Sequence, residues 1–140
     1  MLLLLIIAIF NSMVAGQRPY IRSDANTGLV LVIFVDLMFL IGLCLWYFGM
    51  FGYQQLAQDA GGMSAAMKNP FERFWGIEHS VGMLVAIILV HIGKAQGKRK
   101  ISDRQKHVRT MVFYLIALVI MLVTIPWPFR DVVGAGRGWY

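Results

Sequence analysis

The stretch that decides the fold is residues 74–100, which read FWGIEHSVGMLVAIILVHIGKAQGKRK. It opens on an aromatic pair that includes Trp75 and closes on the basic run Lys98, Arg99 and Lys100. About twenty mainly apolar residues lie between, enough for a helix to cross the ~30 Å hydrocarbon core of a bilayer. We predict a transmembrane helix with Trp75 at one membrane interface and the three basic residues as cytoplasmic anchors at the other.

The rest of the chain is also mainly apolar and divides into further candidate membrane helices. Of its 140 residues 59% are hydrophobic, and the mean hydropathy is +0.67. The first apolar run begins directly after Met1 with no basic residue before it, which favours a helix over a signal peptide. Pro126 and Pro128 end the last run, and Trp127 between them is a second interfacial anchor. The sequence predicts a single all-α membrane domain, a four-transmembrane-helix bundle with helices at about 1–16, 28–52, 74–95 and 108–125 and an outer-face tail at 126–140.

The charge distribution indicates membrane lipids, not nucleic acid, as the partner of the basic residues. The net charge is +6, and seven of the thirteen Lys and Arg lie between Lys94 and Arg109, beside two predicted spans. Such clusters orient helices and meet anionic headgroups. With four spans, loops 17–27 and 94–109 share one side and hold nine Lys and Arg, against four on the other side. Both termini are therefore expected on the non-cytoplasmic side.

His79 is the first candidate for function, because polar groups at membrane depth are costly unless paired. At helical spacing it shares a face with small residues, namely Gly82, Ala86 and Gly93. Small residues let helices pack closely, and they could equally leave room for a haem beside an axial histidine. A bis-histidine haem needs a second imidazole at similar depth. The other histidines, His91 and His107, are both expected near the opposite face of the membrane.

Asp36 and His91 are the second candidate, as an intramembrane polar pair. They are expected at similar depths on the second and third helices, about 6 Å apart along the membrane normal at 1.5 Å per residue. His91 is the one residue near that depth able to carry a compensating positive charge. We therefore expect the two to face each other within the bundle. The pair could either handle protons or fix the register of two helices.

Little in the sequence favours catalysis. There is no nucleotide-binding loop, no HExxH metal motif, no CxxCH for covalent haem and no nucleophile with a base at helical reach. The single cysteine, Cys44, is expected to be a buried packing residue. Glu78 is expected to reach the outer interface or to pair with Arg73. We predict no catalytic residues and no metal site, and at most a role as an electron-transfer subunit.

Three segments together resemble a family of short bacterial four-helix membrane proteins commonly labelled cytochrome B. They are residues 74–80 (FWGIEHS), the basic loop 98–106, and the ending Ile125-Pro126-Trp127-Pro128-Phe129. The resemblance covers roughly residues 74–130 well and the first two helices loosely. It implies a bacterial inner-membrane protein, with Glu78 and His79 matching the family's EHS motif. Family members also carry histidines near the start of the first helix and within the second; this chain has neither, and Asp36 stands where the second would be.

Two functions follow as expectations. The first is an accessory or assembly subunit of a larger inner-membrane complex, plausibly a respiratory one, with other integral membrane subunits as partners. The alternative is a b-type haem electron-transfer cytochrome, in which His79 is one ligand and another chain supplies the second. Haem b is not favoured as the cofactor, and a bound lipid or quinone is an alternative occupant beside the third helix. A proton-linked transporter would depend on Asp36 alone, without the repeated halves usual in carriers.

Overall fold

The computed structural model describes residues 1–15, 18–49, 52–58, 62–127 and 129–130, and within these ranges all regular structure is helical. The helices are α1 (Leu2–Val14), α2 (Arg22–Phe48), α3 (Tyr53–Gln58), α4 (Gly62–Ala66), α5 (Pro70–Arg73), α6 (His79–Gln96) and α7 (Asp103–Thr124). One π-helical segment, Phe74–Glu78, joins α5 to α6 without a break. Residue 128 and the tail from 131 onward, where an outer-face position was predicted, lie outside the described residues.

Three helices are long and apolar enough to cross a membrane: α2, the continuous helix Pro70–Gln96, and α7. The all-helical fold is therefore compatible with a helical membrane protein. The fourth predicted span, α1, has 13 residues, which cover roughly 20 Å at 1.5 Å per residue. Its inner side belongs to the core all the same, because Leu5 and Ala8 are buried against residues of α2, α6 and α7.

The observed helices start earlier than their apolar runs. α2 begins at Arg22 rather than at residue 28, and α7 begins at Asp103 rather than at 108. In both cases a polar side chain caps the first turn: Asp24 accepts the Ile21 amide at 3.0 Å, and Ser102 accepts the Gln105 amide at 3.4 Å. Such caps satisfy the free amides of a helix start, so each helix begins in the polar residues that precede its apolar run.

The two basic loops lie at the same end of the bundle. The ring of Tyr20, just before α2, lies 5.2 Å from the ring of His107 at the start of α7. Lys106 lies over the Tyr20 ring, with its ammonium 5.7 Å from the centroid. Burial raises the pKa of Tyr20, and the neighbouring Asp24 carboxylate raises it further. The contact agrees with the predicted topology, which requires these two loops to lie on the same side of the membrane.

The small-residue stripe of α6 is filled by α7. A Cβ atom at Gly82 would overlap the Thr124 side chain, and one at Gly93 would lie 2.5 Å from a ring carbon of Tyr114. Ala86 between them is fully buried. The Thr110 hydroxyl crosses the same contact and donates to the Gly93 carbonyl at 3.1 Å. Of the two interpretations of the stripe, the structure therefore has close helix packing, and no space for a flat cofactor remains on this face.

Cys44 is exposed on the outer surface of α2, contrary to the buried packing role expected from the sequence. The buried residues of α2 are Gly28, Leu31, Val32 and Val35, all in its first half. Neighbouring helices cover one side of that half, while apolar residues such as Leu40 and Leu45 remain exposed. A uniformly apolar helix gives no signal of which face is packed and which meets lipid, and this is why the prediction was wrong.

Substituting Gly93 with alanine tests the close approach of α6 and α7. The added methyl would meet the rigid Tyr114 ring, and overpacking of this kind costs about 1–3 kcal/mol. The matched control is Gly42→Ala on α2, where an added Cβ meets nothing within 4 Å. We expect Gly93→Ala to lower the midpoint of thermal unfolding in mild detergent and Gly42→Ala to leave it unchanged or higher. Equal midpoints for the two variants would contradict the packing.

Candidate functional site: a histidine-lined groove between two membrane helices

The π-helical turn Phe74–Glu78 sets the position of His79. The His79 amide bonds to the carbonyl of Phe74, five residues earlier, instead of the usual four. Such single-turn π segments inside α-helices are frequent at functional sites. The carbonyl of Gly76 within this turn accepts the indole N–H of Trp46 at 2.7 Å. The turn is thus fixed to the end of α2, and His79 follows it directly.

The end of α7 supplies the partner of His79. α7 ends at Thr124, just before Pro126, so the carbonyls of Leu122, Val123 and Thr124 in its last turn have no helical donor. Side chains take those places. The Trp127 indole donates to Leu122 at 2.8 Å, Arg130 donates to Val123 at 2.7 Å, and Nδ1 of His79 lies 2.8 Å from the Thr124 carbonyl oxygen.

This last contact fixes the proton on the His79 ring. A carbonyl oxygen can only accept, so Nδ1 must carry the hydrogen and donate it to Thr124. In the neutral ring the other nitrogen, Nε2, then holds a lone pair and can only accept a hydrogen bond or bind a metal. Fixing the tautomer through a backbone carbonyl is also how proteins orient ligating histidines.

A groove of about 400 Å³ lies between α2 and α6, on the side of His79 away from α7. Its volume is within the roughly 300–1,000 Å³ range of ligand pockets. It is lined by Met1, Val35, Met38, Phe39, Gly42, Leu43, Trp46, Gly76, Ile77, His79, Ser80, Val81, Met83, Leu84 and Ile87. No residue of α7 is among them, and the Nδ1 edge of the imidazole is bonded to α7. The opposite edge of the ring, which carries Nε2, therefore faces the groove.

The site fits one ligand of a haem and not two. All three histidines of the chain are described. His91 is on the same helix as His79, about 18 Å farther along at 1.5 Å per residue. His107 is fully buried at the opposite end of the bundle, beside Tyr20. The chain therefore cannot hold a bis-histidine haem by itself, whereas the fixed tautomer of His79 suits a single axial ligand.

The structure brings Asp36 and His91 together. Nε2 of His91 lies 3.2 Å from a carboxylate oxygen of Asp36, and Nδ1 of His91 lies 3.0 Å from the Ile87 carbonyl one turn earlier. The contact joins α2 to α6 as the sequence predicted. The position within the bundle differs, however: 49% of the Asp36 side chain and 45% of the His91 side chain are exposed. The pair lies at the outer edge of the α2–α6 contact.

The remaining predicted site residues lie at the two ends of the bundle. Glu78 pairs with Arg73 at 2.7 Å. This is one of the two roles that the sequence predicted for Glu78. Lys98, Arg99 and Lys100 are exposed just after α6. Trp75 lies at the other end, its ring 5.8 Å from that of His79. Among the described residues, no group of three His, Cys, Asp or Glu side chains could hold a metal ion.

A second polar cluster lies near the basic loops, and no pattern in the sequence predicted it. Its cavity holds about 10 Å³ and is lined by Ala8, Asn11, Ser12, Tyr20, Asp24, Thr27, Gly28, Thr110 and Tyr114. Within the described residues, the buried Tyr114 hydroxyl and both ring nitrogens of His107 have no hydrogen-bond partner. A cavity of this size holds about one water molecule, which would satisfy Tyr114. Only the meeting of α1, α2 and α7 reveals this cluster, because its residues are far apart in the chain.

Comparison with known proteins adds no relative: no protein-family model, no curated protein and no solved structure matches the chain. The resemblance to the family labelled cytochrome B remains a prediction from the motifs alone.

The Asp36–His91 contact can be tested by a double-mutant cycle. His91→Leu alone leaves a carboxylate without its partner, so we expect it to destabilise the protein more than Asp36→Leu combined with His91→Leu. Coupling of polar contacts between membrane helices averages about 0.6 kcal/mol and reaches about 1.7 kcal/mol, and we expect a value in that range. Unfolding by denaturing detergent measures each variant. Strictly additive single substitutions would contradict the pairing.

Proposed function

We propose that this chain is a non-enzymatic accessory or assembly subunit of a larger complex in a bacterial inner membrane. The observation that carries the proposal is the half-exposed Asp36–His91 pair. An ionisable side chain in the apolar part of a membrane helix costs about 2.5–3.5 kcal/mol on insertion scales. Pairing offsets part of this, but the exposed halves of both groups would still face hydrocarbon. A polar side chain from a neighbouring membrane subunit would remove that cost.

The surroundings of the pair support the same conclusion. Asp36 lies near the middle of α2, too far from either end for its short side chain to reach the headgroups. The residues next to it on α2, such as Ile33 and Leu40, are exposed and apolar. A polar pair within an apolar helix surface is typical of helix association in membranes, where interhelical hydrogen bonds contribute to the contact.

Orientation is part of the proposal. The Tyr20–His107 contact supports one shared side for the loops that hold nine of the thirteen Lys and Arg. The positive-inside rule then assigns that side to the cytoplasm. If α1 reaches the opposite surface, both termini lie outside the cytoplasm.

Photo-crosslinking tests the subunit role. A benzophenone amino acid replaces Leu40, which is 57% exposed and one turn from Asp36. The matched control replaces Val119 on α7, which is 53% exposed. In native membranes we expect the Leu40 position to give a defined adduct with another membrane protein, and the Val119 position to give background alone. Adducts with lipid or with this chain only, together with recovery as a lone monomer in several mild detergents, would contradict the proposal.

A b-type cytochrome is the second candidate, and the observation that favours it is the fixed tautomer of His79. The second axial ligand would come from another chain, since His91 and His107 are out of reach. We expect such a complex, once purified, to give a reduced-minus-oxidised spectrum with a Soret shift and an α band that disappear in His79→Phe. A flat difference spectrum of the intact complex would remove this candidate.

A further inference from the structure

We propose that the groove between α2 and α6 binds the headgroup of a lipid-soluble aromatic diphenol, a quinol, through Nε2 of His79. The inference goes beyond the proposed subunit role and does not depend on the partner that covers Asp36 and His91. It is a proposal of binding only.

The direction of the hydrogen bond selects the ligand. Because Nδ1 of His79 donates to the Thr124 carbonyl, Nε2 accepts. Phosphate and carboxylate groups of lipids offer acceptors, so they cannot satisfy a neutral imidazole held this way. A ligand hydroxyl can. Among ordinary membrane components this leaves hydroxyl groups and the ammonium groups of aminophospholipids, and the mainly apolar lining of the groove disfavours the charged ammonium.

The lining of the groove favours an aromatic ring on that hydroxyl. Phe39 and Trp46 contribute aromatic rings, and Met38 and Met83 contribute thioethers. Aromatic side chains prefer stacked or edge-to-face neighbours, and sulfur packs favourably against ring edges. The Trp46 indole is held by the Gly76 carbonyl at 2.7 Å, so this wall of the groove is already ordered. Among the described residues that line the groove, the one other polar side chain is that of Ser80, whose hydroxyl lies 3.5 Å from the Trp75 carbonyl.

The groove is accessible from the bilayer. Several lining residues are exposed on the outer surface of the helices: Met38, Leu43, Val81 and Leu84. His79 lies at the end of the bundle where Trp46 and Trp75 are found, and tryptophan is typical of the membrane interface. A diphenol ring would therefore bind near the membrane surface, with its apolar chain extending into the hydrocarbon.

A haem is the less favoured occupant of the same nitrogen. The bis-histidine haem expected of a b-type cytochrome needs a second imidazole, and the chain offers one histidine at this depth. A diphenol needs the single acceptor that the chain provides.

The test uses the full chain in lipid nanodiscs and a short-chain benzoquinol as the probe, with empty nanodiscs as the reference and tryptophan fluorescence as the readout. The dimethyl ether of the same quinol keeps the ring and loses both donors. We expect the quinol to bind about tenfold more tightly than its dimethyl ether, and a long-chain aliphatic alcohol to bind more weakly than the quinol.

Three variants locate the site. His79→Phe removes the acceptor, and we expect the quinol to bind it about tenfold more weakly. Gly42→Leu adds bulk to the groove from α2 and keeps the His79 acceptor, and we expect it to fold because an added Cβ there meets nothing within 4 Å. It should weaken the quinol and its dimethyl ether alike. Ile92→Phe, a change on the same helix at an exposed position about 20 Å from His79 and outside the groove, should leave binding unchanged.

Equal affinity for the quinol, its dimethyl ether and the alcohol would overturn the proposal, as would undiminished binding by Gly42→Leu. A Soret band in the purified wild-type protein that is lost in His79→Phe would assign the nitrogen to haem and overturn it as well. Leu40 is not among the residues that line the groove, and crosslinking and quinol binding are separate measurements, so failure of either proposal leaves the other open to its own test.

Discussion

The close approach of α6 and α7 is the constraint on which the rest of the structure depends. Gly82, Ala86 and Gly93 leave no side-chain bulk between the two helices. The end of α7 thereby comes within hydrogen-bonding distance of the start of α6, where His79 donates to Thr124. In lipid there is no hydrophobic force between helices, so contact of this kind depends on packing and on interhelical hydrogen bonds. Two hydrogen bonds connect the helices, Thr110 to Gly93 towards one end of this interface and His79 to Thr124 at the other.

Proline chemistry connects this packing to the candidate site. A helix normally leaves its last carbonyls to water or to a cap, but at this end Trp127, Arg130 and His79 supply the donors. The His79 imidazole is thus part of the helix cap and part of the groove wall at once. One nitrogen is used structurally, and the other remains for a ligand.

Sequence reasoning succeeded where depth and charge decide the outcome. Asp36 and His91 could be matched because few polar residues occur at that depth and only one can offset a carboxylate, and the structure has them 3.2 Å apart. The sequence did not indicate that the pair would be half exposed, because apolar composition does not show which face of a membrane helix meets a neighbour. The same ambiguity accounts for Cys44, and it led the small-residue stripe to be weighed as a cofactor surface.

The groove itself lay beyond prediction from residues alone. It depends on the separation of α2 and α6 and on a π-helical turn that no motif in residues 74–78 predicts. His79 was identified from its place in an apolar span. Its proton position required the Thr124 carbonyl, 45 residues away in the chain. Pro126, which follows the end of α7, is visible in the sequence, but only the fold shows which donor the Thr124 carbonyl receives.

The most direct test of this account is the tautomer of His79, read from ¹⁵N chemical shifts of histidine-labelled protein in nanodiscs at neutral to mildly basic pH. The chain has three histidines, so His79→Phe and His91→Phe suffice to assign the signals. We predict that the His79 ring carries its hydrogen on Nδ1 and an unprotonated Nε2. A His79 ring protonated on Nε2 alone would contradict the bond to Thr124, and with it the acceptor that the groove is proposed to offer.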